Sequence, residues 1–202
     1  MSKTKLRGGA LLAPVPPVMV SCGDAERKNI LTVAWTGITN TVPPKTYISV
    51  RPSRHSYNII KESGEFVLNL TPTSLVRTAD YCGIYTGAKV NKFEKCHLTP
   101  VEAEEVAAPM IDECPVSICC RVTDIVPLGS HDMFLADILA VYVEDRLLDE
   151  NGKLHLEKAD LCAYAHGDYY ALGKMLGHFG FSAAKKKKSP KRVQKNASKG
   201  KR

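Results

Sequence analysis

The sequence predicts a mainly β fold, a β-barrel with a few short helices, and three observations support that prediction. Six or more segments carry β-branched and aromatic residues in strand-like patterns, whereas only two or three short segments suit helices. No GxGxxG sequence opens a helix after a strand, so the usual dinucleotide-binding fingerprint is missing. The length of 202 residues and the hydrophobic fraction of 44% suit one compact domain.

The first half supplies four strands and two helices. We expect the strands at VMVSC (18–22), NILTVAWTG (29–37, ending at Gly37), KTYISV (45–50) and EFVLNL (65–70). After the third strand, Ser53 is the expected N-cap of a short helix over RHSYNIIKES, which Gly64 terminates. A second short helix is predicted from about Thr73 to Tyr81.

The second half continues the β pattern in longer segments. CPVSICCRVTDIVPLG (114–129) and HDMFLADILAVYVEDRLL (131–148) are predicted to form two long antiparallel strands joined at Gly129 and Ser130. DENGKL is a turn because it contains Asn-Gly. The segment 168–181, DYYALGKMLGHFGF, is predicted to be irregular and to pack against the barrel or against a partner subunit.

The net charge of +7 comes from the end of the chain. Residues 185–202 contain ten basic and no acidic residues, which leaves 18 basic against 21 acidic residues and a net charge of −3 in the body. We therefore expect a folded domain over residues 1–184 and a disordered basic tail over 185–202. A mildly acidic body argues against a nucleic-acid groove, although the tail could add weak affinity for nucleic acid or acidic partners.

The cysteines indicate a reduced, cytoplasmic protein. There are seven of them, an odd number, with neither a CxxC pair nor the Cys/His spacing of a metal site. Prolines interrupt the apolar part of the first twenty residues, and no apolar run approaches the roughly 20 residues that span a bilayer. We therefore expect no metal site, secretion or membrane insertion.

The stretch SVRPSRHS, at the junction of the third strand and the first helix, gathers groups that bind anions. The N-terminus of a helix presents free N–H groups, and Ser53, Ser56 and His55 add side-chain donors. Arg51 and Arg54 supply guanidinium forks suited to phosphate. A capped surface helix with solvated arginines is the alternative. Cations at a helix N-terminus are unfavourable without an anion, which favours a phosphate site.

Four segments of the chain together resemble the flavin reductase-like FMN-binding family, and within it the flavoredoxin group. They are NILTVAWTG, PPKTYISVRPSRHSYNIIKESGEFVLNL, DYCG and YYALGKMLGHFGFS, and the resemblance covers roughly residues 13–183. It implies a split β-barrel that binds FMN non-covalently and acts as a homodimer, often with the flavin close to the subunit interface.

The resemblance also implies positions for the cofactor. It places along the flavin phosphate and ribityl chain Ser49, Val50, Arg51, Arg54, His55 and Ser56. It places around the ring Thr32, Ala34, Trp35 and Thr36, with Cys82, Gly83 and Lys92 on the other side. The predicted anion site and the implied phosphate loop coincide.

Several of these residues have a second interpretation. Trp35 could be half-buried packing, Cys82 an inert buried thiol rather than a redox group, and Lys92 a solvated side chain. His131, in GSHDMF, resembles the GDH segment that many NAD(P)H-dependent flavin reductases carry near the nicotinamide. Ser130 replaces the acidic residue of that segment, so His131 is either catalytic or a structural hydrogen-bonding group.

Three functions are consistent with these sequence features. The first is an FMN-dependent oxidoreductase that moves hydride or electrons between NAD(P)H and an acceptor such as free flavin, ferric iron or a redox partner protein. The second is a flavoredoxin, an FMN electron carrier that does not itself use NAD(P)H. The third is a colourless barrel whose SVRPSRHS turn binds a nucleic-acid phosphate.

Overall fold

A computed structural model describes residues 1–183 of the chain. Eleven strands lie in this part of the chain, in the order β1 (Val18–Cys22), β2 (Asn29–Val33), β3 (Thr36–Thr41), β4 (Pro44–Val50), β5 (Glu65–Leu70), β6 (Pro100–Val101), β7 (Met110–Ile111), β8 (Val116–Pro127), β9 (Asp132–Val143), β10 (Cys162–Ala165) and β11 (Asp168–Ala171). The α-helices of the same residues are α1 (His55–Ser63), α2 (Val76–Ile84) and α3 (Lys92–Lys95). The prediction of a mainly β fold with few short helices is confirmed.

Seven strands form one antiparallel sheet in the order β2-β1-β5-β8-β9-β4-β3. β2 and β3 are consecutive in the chain and only Ala34 and Trp35 separate them, yet they lie at opposite ends of this order. The sheet therefore has to curve until its two edges meet, which makes an open barrel with a seam at Ala34–Trp35. The Ser49 amide donates a hydrogen bond of 2.9 Å to the Trp35 carbonyl at this seam.

The barrel interior is filled by alternate side chains of the strands and is closed by α1. Ile48, Phe66 and Phe134 are buried inside it. Tyr57 of α1 meets the Phe134 ring edge-on, with ring centroids 5.3 Å apart. β1 is buried on both faces, because α2 and α3 pack side chains such as Phe93 against its outer side. That outer layer brings α2 beside the seam.

The first helix begins one residue later than predicted. Arg54, not Ser53, is the N-cap of α1, and no side chain caps the helix. The reason is local: the Arg54 amide donates to the Arg51 carbonyl (2.9 Å), so residues 51–54 form a turn with Pro52 at its favoured second position. Gly64 ends the helix as predicted, at φ +70°, where a side chain would be strained.

Three other predicted elements differ from the structure. The single strand predicted over residues 29–37 is wrong, because it breaks at the seam and continues as β3. The second helix starts as a 3₁₀ turn at Thr73–Leu75 and continues as α2 to Ile84, beyond the predicted end at Tyr81. The segment 168–181 is not wholly irregular, because β11 pairs with β10. The long hairpin is confirmed as β8 and β9.

The contacts divide the chain after Leu172. Residues Met1–Leu172 form the barrel unit, and within the second unit the described residues carry a 3₁₀ turn at Phe181–Ala183. The expected domain boundary at residue 184 stays a prediction, and the basic segment 185–202 lies outside the described residues. Among the described residues, 1–183, no helix is both long and apolar enough to cross a membrane.

Candidate functional site

The barrel seam opens into two adjoining cavities. The first, here called the seam cavity, has a volume of about 440 Å³ and is lined from β2, the seam, β4, α2 and the β10–β11 hairpin. The second, the arginine pocket, has a volume of about 240 Å³ and lies between the 51–56 segment, Asn29, the 85–87 loop and Lys92. Leu31, Arg51 and Arg54 line both, so the two cavities form one continuous site.

Most of the residues predicted for the site lie together here. Those that line the seam cavity are Thr32, Ala34, Trp35, Ser49, Val50, Arg51, Arg54, Gly83 and His131. Those that line the arginine pocket are Arg51, Arg54, His55, Ser56 and Lys92. Trp35 is 37% exposed, so it is both partly packed and available to a ligand.

Thr36 and Cys82 do not line either cavity. The Thr36 hydroxyl donates to the Tyr47 carbonyl (2.6 Å) and helps to hold β3 on β4. Cys82 lies on the buried face of α2, and burial raises the pKa of its thiol to about 12. A thiol with that pKa is protonated at neutral pH and a poor nucleophile, so the geometry favours a packing role for Cys82.

The arginine pocket is built around the start of α1. The turn at residues 51–54 places both arginine side chains beside the free N–H groups of the first helical turn, which contains no acidic residue. Helix dipole and guanidinium groups therefore add positive potential in the same place. Without an anion in the pocket this arrangement is unfavourable.

Lys92 is a buried cation at the floor of the arginine pocket. Its side chain is only 3% exposed, and Nζ donates to the carbonyls of Ile30 (2.6 Å) and Cys82 (2.7 Å). Burial lowers the pKa of the ammonium. An ammonium has three N–H donors, so one remains for a ligand in the pocket that Lys92 lines.

Asn29, Ser56 and Gly87 complete the floor. The Asn29 side-chain amide donates to the Ser56 hydroxyl oxygen (2.7 Å), and Ser56 is 1% exposed. A Cβ atom at Gly87 would collide with the Asn29 side chain, so glycine lets the 85–87 loop approach without displacing Asn29. Ser56 thus supports Asn29 as well as facing the pocket.

His131 stands at the start of β9, on the wall of the seam cavity. Its Nδ1 lies 2.9 Å from the Ser130 hydroxyl, and its Nε2 lies 3.4 Å from Arg51 Nε. Burial, then the positive charges of Arg51 and Arg54, lower the pKa of this imidazole. His131 is therefore neutral at pH 7, and because Arg51 can only donate, Nε2 accepts and Nδ1 carries the proton. Asp132 instead accepts from the buried Tyr57 hydroxyl (2.6 Å).

A group of cavity residues on α2 and the β10–β11 hairpin was not predicted from the sequence. Asp80 lines the seam cavity together with Tyr164 and Tyr169. The Tyr169 hydroxyl donates to Asp80 Oδ1 (3.3 Å), and its ring meets Tyr164 with centroids 5.3 Å apart. Burial, followed by the Asp80 charge, raises the pKa of Tyr169 to about 12. The only available sequence signals were the position of Asp80 just before YCG and the aromatic content of residues 164–170.

The described part of the chain, residues 1–183, contains no group of three His, Cys, Asp or Glu side chains arranged to hold a metal ion. The arginine pocket instead offers cationic donors, and the seam cavity offers aromatic and small side chains. Such a site suits an organic anion with a flat ring better than a bare cation.

Comparison with known proteins identifies the family. Residues 11–173 match the family model described as "Flavin reductase like domain". The chain belongs to the flavin reductase-like family. Flavoredoxin of Desulfovibrio vulgaris (Miyazaki F) is similar to it at 34% identity and a TM-score of 0.83, over 91% of this chain and 100% of that one.

Two further flavin reductase-like relatives are similar at greater distance. Flavoredoxin from Methanosarcina acetivorans has 26% identity and a TM-score of 0.82, over 91% of this chain and 100% of that one. The FMN reductase (NADH) RutF of Stutzerimonas stutzeri is 24% identical over 67% of this chain and 75% of its own length. The resemblance inferred from the motifs is confirmed, and so is the split-barrel fold.

Proposed function

We propose that this oxidoreductase of the flavin reductase-like family binds FMN across the seam cavity and the arginine pocket. It moves hydride or electrons between NAD(P)H and an acceptor such as free flavin, ferric iron or a redox partner protein. The observation that carries the proposal is the continuity of a small cationic pocket with a larger cavity of aromatic and small residues. The proposed assembly is a cytoplasmic homodimer.

The arginine pocket fits the phosphate of FMN. Arg51 and Arg54 offer forked donors, the first turn of α1 offers backbone N–H groups, and Lys92 keeps one donor free of its two carbonyl partners. The buried ammonium and the uncapped helix start are both costly unless an anion is present. A phosphate dianion satisfies both at once.

The seam cavity fits the flavin ring. Thr32, Ala34, Trp35 and Gly83 all line this cavity, which gives a surface of one aromatic and several small residues. A Cβ atom at Gly83 would lie in van der Waals contact with the Thr32 side chain (3.5 Å), so β2 and α2 pack closely beside the cavity. When bound, the flavin supplies the redox chemistry, accepting hydride or single electrons on its ring.

The protein's own groups orient the ligand and tune its charge. Arg51, which lines both cavities, places positive charge beside the ring as well as beside the phosphate, where it would stabilise negative charge on the ligand. The acceptor nitrogen of neutral His131 takes a hydrogen bond from Arg51 Nε and orients that side chain, so it is not a free proton acceptor. We propose that His131 borders the nicotinamide in the first function, on the face of the ring left open to solvent.

An FMN electron carrier without direct NAD(P)H activity is the second candidate. It is favoured by Ser130, which stands where the GDH segment has an acidic residue, and by the engagement of both His131 nitrogens. Anaerobic NADH or NADPH added in a stopped-flow instrument separates the two functions. Rapid bleaching of the flavin absorbance indicates the enzyme, and stable absorbance indicates the carrier.

The proposed cofactor is tested by binding of FMN against riboflavin, which lacks the phosphate. A visible absorption spectrum of the purified protein first shows whether flavin is bound. The double variant Arg51→Ala/Arg54→Ala should weaken FMN by about tenfold to a hundredfold, since charge-assisted hydrogen bonds are lost, and riboflavin by much less. Arg77→Ala is the control, because Arg77 is exposed on α2 and lines neither cavity. Equal losses for both ligands would contradict the phosphate assignment and favour a different anion.

A further inference from the structure

Asp80 is the acidic residue in the lining of the seam cavity, whose other charged lining residues are Arg51 and Arg54. It lies on the face of α2 that also carries Gly83 and Ile84, three and four residues further along, and all three line the seam cavity. The side chain is exposed, and Tyr169 donates to its Oδ1. Within residues 1–183 it has no ion-pair partner, and Oδ2 has no hydrogen bond.

The carboxylate belongs to the part of the site away from the phosphate donors. Arg51 and Arg54 line both cavities, whereas Asp80 and Tyr169 line the seam cavity alone. The site therefore has two ends of opposite character. One end binds anions, and the other presents an acceptor whose direction is set by the hairpin.

An ionised carboxylate only accepts hydrogen bonds. It therefore strengthens the binding of a ligand that presents an N–H group and weakens the binding of one that presents a negative charge. We infer that Asp80, held by Tyr169, is a specificity-determining residue that accepts a hydrogen bond from an imide or carboxamide N–H borne by the ligand ring in the seam cavity, away from the arginine pocket. This inference rests on the proposed function. Two ligands of that function carry such a group, namely the imide of flavin and the carboxamide of nicotinamide.

The structure makes the role of Tyr169 testable too. Its hydroxyl occupies Oδ1 and so leaves Oδ2 as the free acceptor. Its ring packs against Tyr164, which also lines the cavity, so the hairpin fixes both the wall and the carboxylate. Tyr169→Phe keeps the ring and removes only the hydrogen bond, so it should weaken discrimination without emptying the site.

The experiment measures ligand discrimination at equilibrium on the full-length protein, in two arms. The flavin arm compares the Kd of FMN with that of N3-methyl-FMN by fluorescence quenching. The nicotinamide arm compares the Kd of NAD⁺ with that of nicotinic acid adenine dinucleotide, measured by calorimetry on the FMN-loaded protein. Each is measured for the wild type, for Asp80→Ala and Asp80→Asn, and for Asp168→Asn, whose exposed carboxylate precedes Tyr169 but does not line the cavity.

We expect the wild type to prefer the N–H ligand in one arm, and Asp80→Ala to reduce that preference by about tenfold, the value of a charged hydrogen bond. A change in the flavin arm identifies the imide, and a change in the nicotinamide arm identifies the carboxamide. Asp80→Asn should relieve the rejection of the carboxylate analogue, and Asp168→Asn should change neither ratio. If Asp80→Ala leaves both ratios within about twofold, the inference is wrong while the proposed function stands. If the wild type binds no FMN at all, the proposed function itself is wrong, and the inference with it.

Discussion

At the scale of single residues, the site depends on a lysine that is almost entirely enclosed. Lys92 has two backbone carbonyls as partners, one from β2 and one from α2, and so it joins the strand to the helix across the floor of the arginine pocket. A buried ammonium is costly in itself, which is why burial lowers its pKa. Lys92 thus stabilises the contact between β2 and α2 and also presents a positive charge to an anion in the arginine pocket.

Replacing Lys92 by methionine should lower both the stability of the fold and the affinity for FMN, and the two effects can be measured separately. Lys92→Met keeps the length and apolar stem but leaves the Ile30 and Cys82 carbonyls without a donor. We expect the free energy of unfolding to fall by about 1–3 kcal/mol and FMN affinity to fall by about tenfold or more. Urea denaturation and FMN titration measure the two effects.

Lys95→Met is the matched control, since Lys95 lies one turn along the same helix and is exposed. It should leave both stability and affinity close to those of the wild type. An unchanged FMN affinity in Lys92→Met would contradict the role of its third donor, whatever happens to stability.

At the scale of secondary-structure elements, the sequence predicted those parts whose signal is local. β-branched alternation located β1, β4, β5 and the long β8–β9 hairpin, and Gly64 located the end of α1. The break in the strand at Ala34–Trp35 has no strong local signal, because Trp35 suits a strand and Ala34 disfavours one only weakly. Closure of the barrel is what moves the chain to the other edge of the sheet. The start of α1 was misplaced for a related reason: Pro52 makes a turn that overrides the capping preference of Ser53.

The site residues, like the elements, were predictable from the sequence only where their signal is local. The arginine pocket was predictable because Arg51, Arg54, His55 and Ser56 are adjacent in sequence. Asp80 and Tyr169 were not, since 89 residues separate them and a single hydrogen bond joins them across the cavity. A pattern search along the chain has no means to connect an aspartate on a helix with a tyrosine on a distant hairpin.

The loop between β9 and β10 contains an ion-pair cluster centred on a histidine. His155 Nδ1 lies 2.8 Å from Glu157, and its Nε2 lies 3.1 Å from Asp149. The hydrogen bonds to Glu157 and then Asp149 raise the pKa of His155, while the bond with His155 lowers the pKa of Asp149 to about 2. This loop leads directly into β10, which carries Tyr164 of the seam cavity.

The cluster should give this loop a pH-dependent stability. Because the folded state holds the His155 proton more tightly than the unfolded chain, the stabilisation is fully present below the unfolded pKa of about 6.5 and is lost as the pH rises through the raised folded value. Asp149 stays ionised across that range. The difference in Tm between the wild type and His155→Gln should therefore be largest near pH 5.5 and shrink above about pH 7.5.

Differential scanning calorimetry over this pH range tests the cluster. The opposite shift at His131, whose pKa is lowered, cancels in the difference because both proteins retain it. His178→Gln, at an exposed position outside the barrel unit, is the control substitution of a histidine that has no part in the cluster. A Tm difference for His155→Gln that grows with pH would show that the histidine is not charged in the folded state.

At the scale of the whole molecule, the site exists only because the sheet closes. The cavity lining comes from residues as distant as Pro17 and Tyr169, and closure at the seam brings the end of β2 beside the end of β4. Helices α1 and α2 then meet the seam from different sides of the sheet and supply the phosphate donors and Asp80. The basic residues responsible for the positive net charge lie in segment 185–202, whereas the rest of the chain has a net negative charge. The positive potential of the arginine pocket therefore comes from its own residues and not from the net charge of the domain.

The proposed homodimer is the property of the whole molecule that solution measurements can decide most directly. The described residues after Leu172 carry large apolar side chains with much of their surface exposed, among them Met175 at 64% and Leu176 at 93%, together with Phe179. Adjacent exposed apolar groups of this size are typical of an interface. We expect the wild type to sediment at twice the chain mass of 22.1 kDa, and Leu176→Asp/Phe179→Asp to shift it to the single chain mass at the same concentration. Lys174→Ala, in the same segment, should leave the mass unchanged. A wild type that stays at one chain mass at all concentrations would contradict the homodimer, whereas a double variant that remains dimeric would place the interface elsewhere on the barrel.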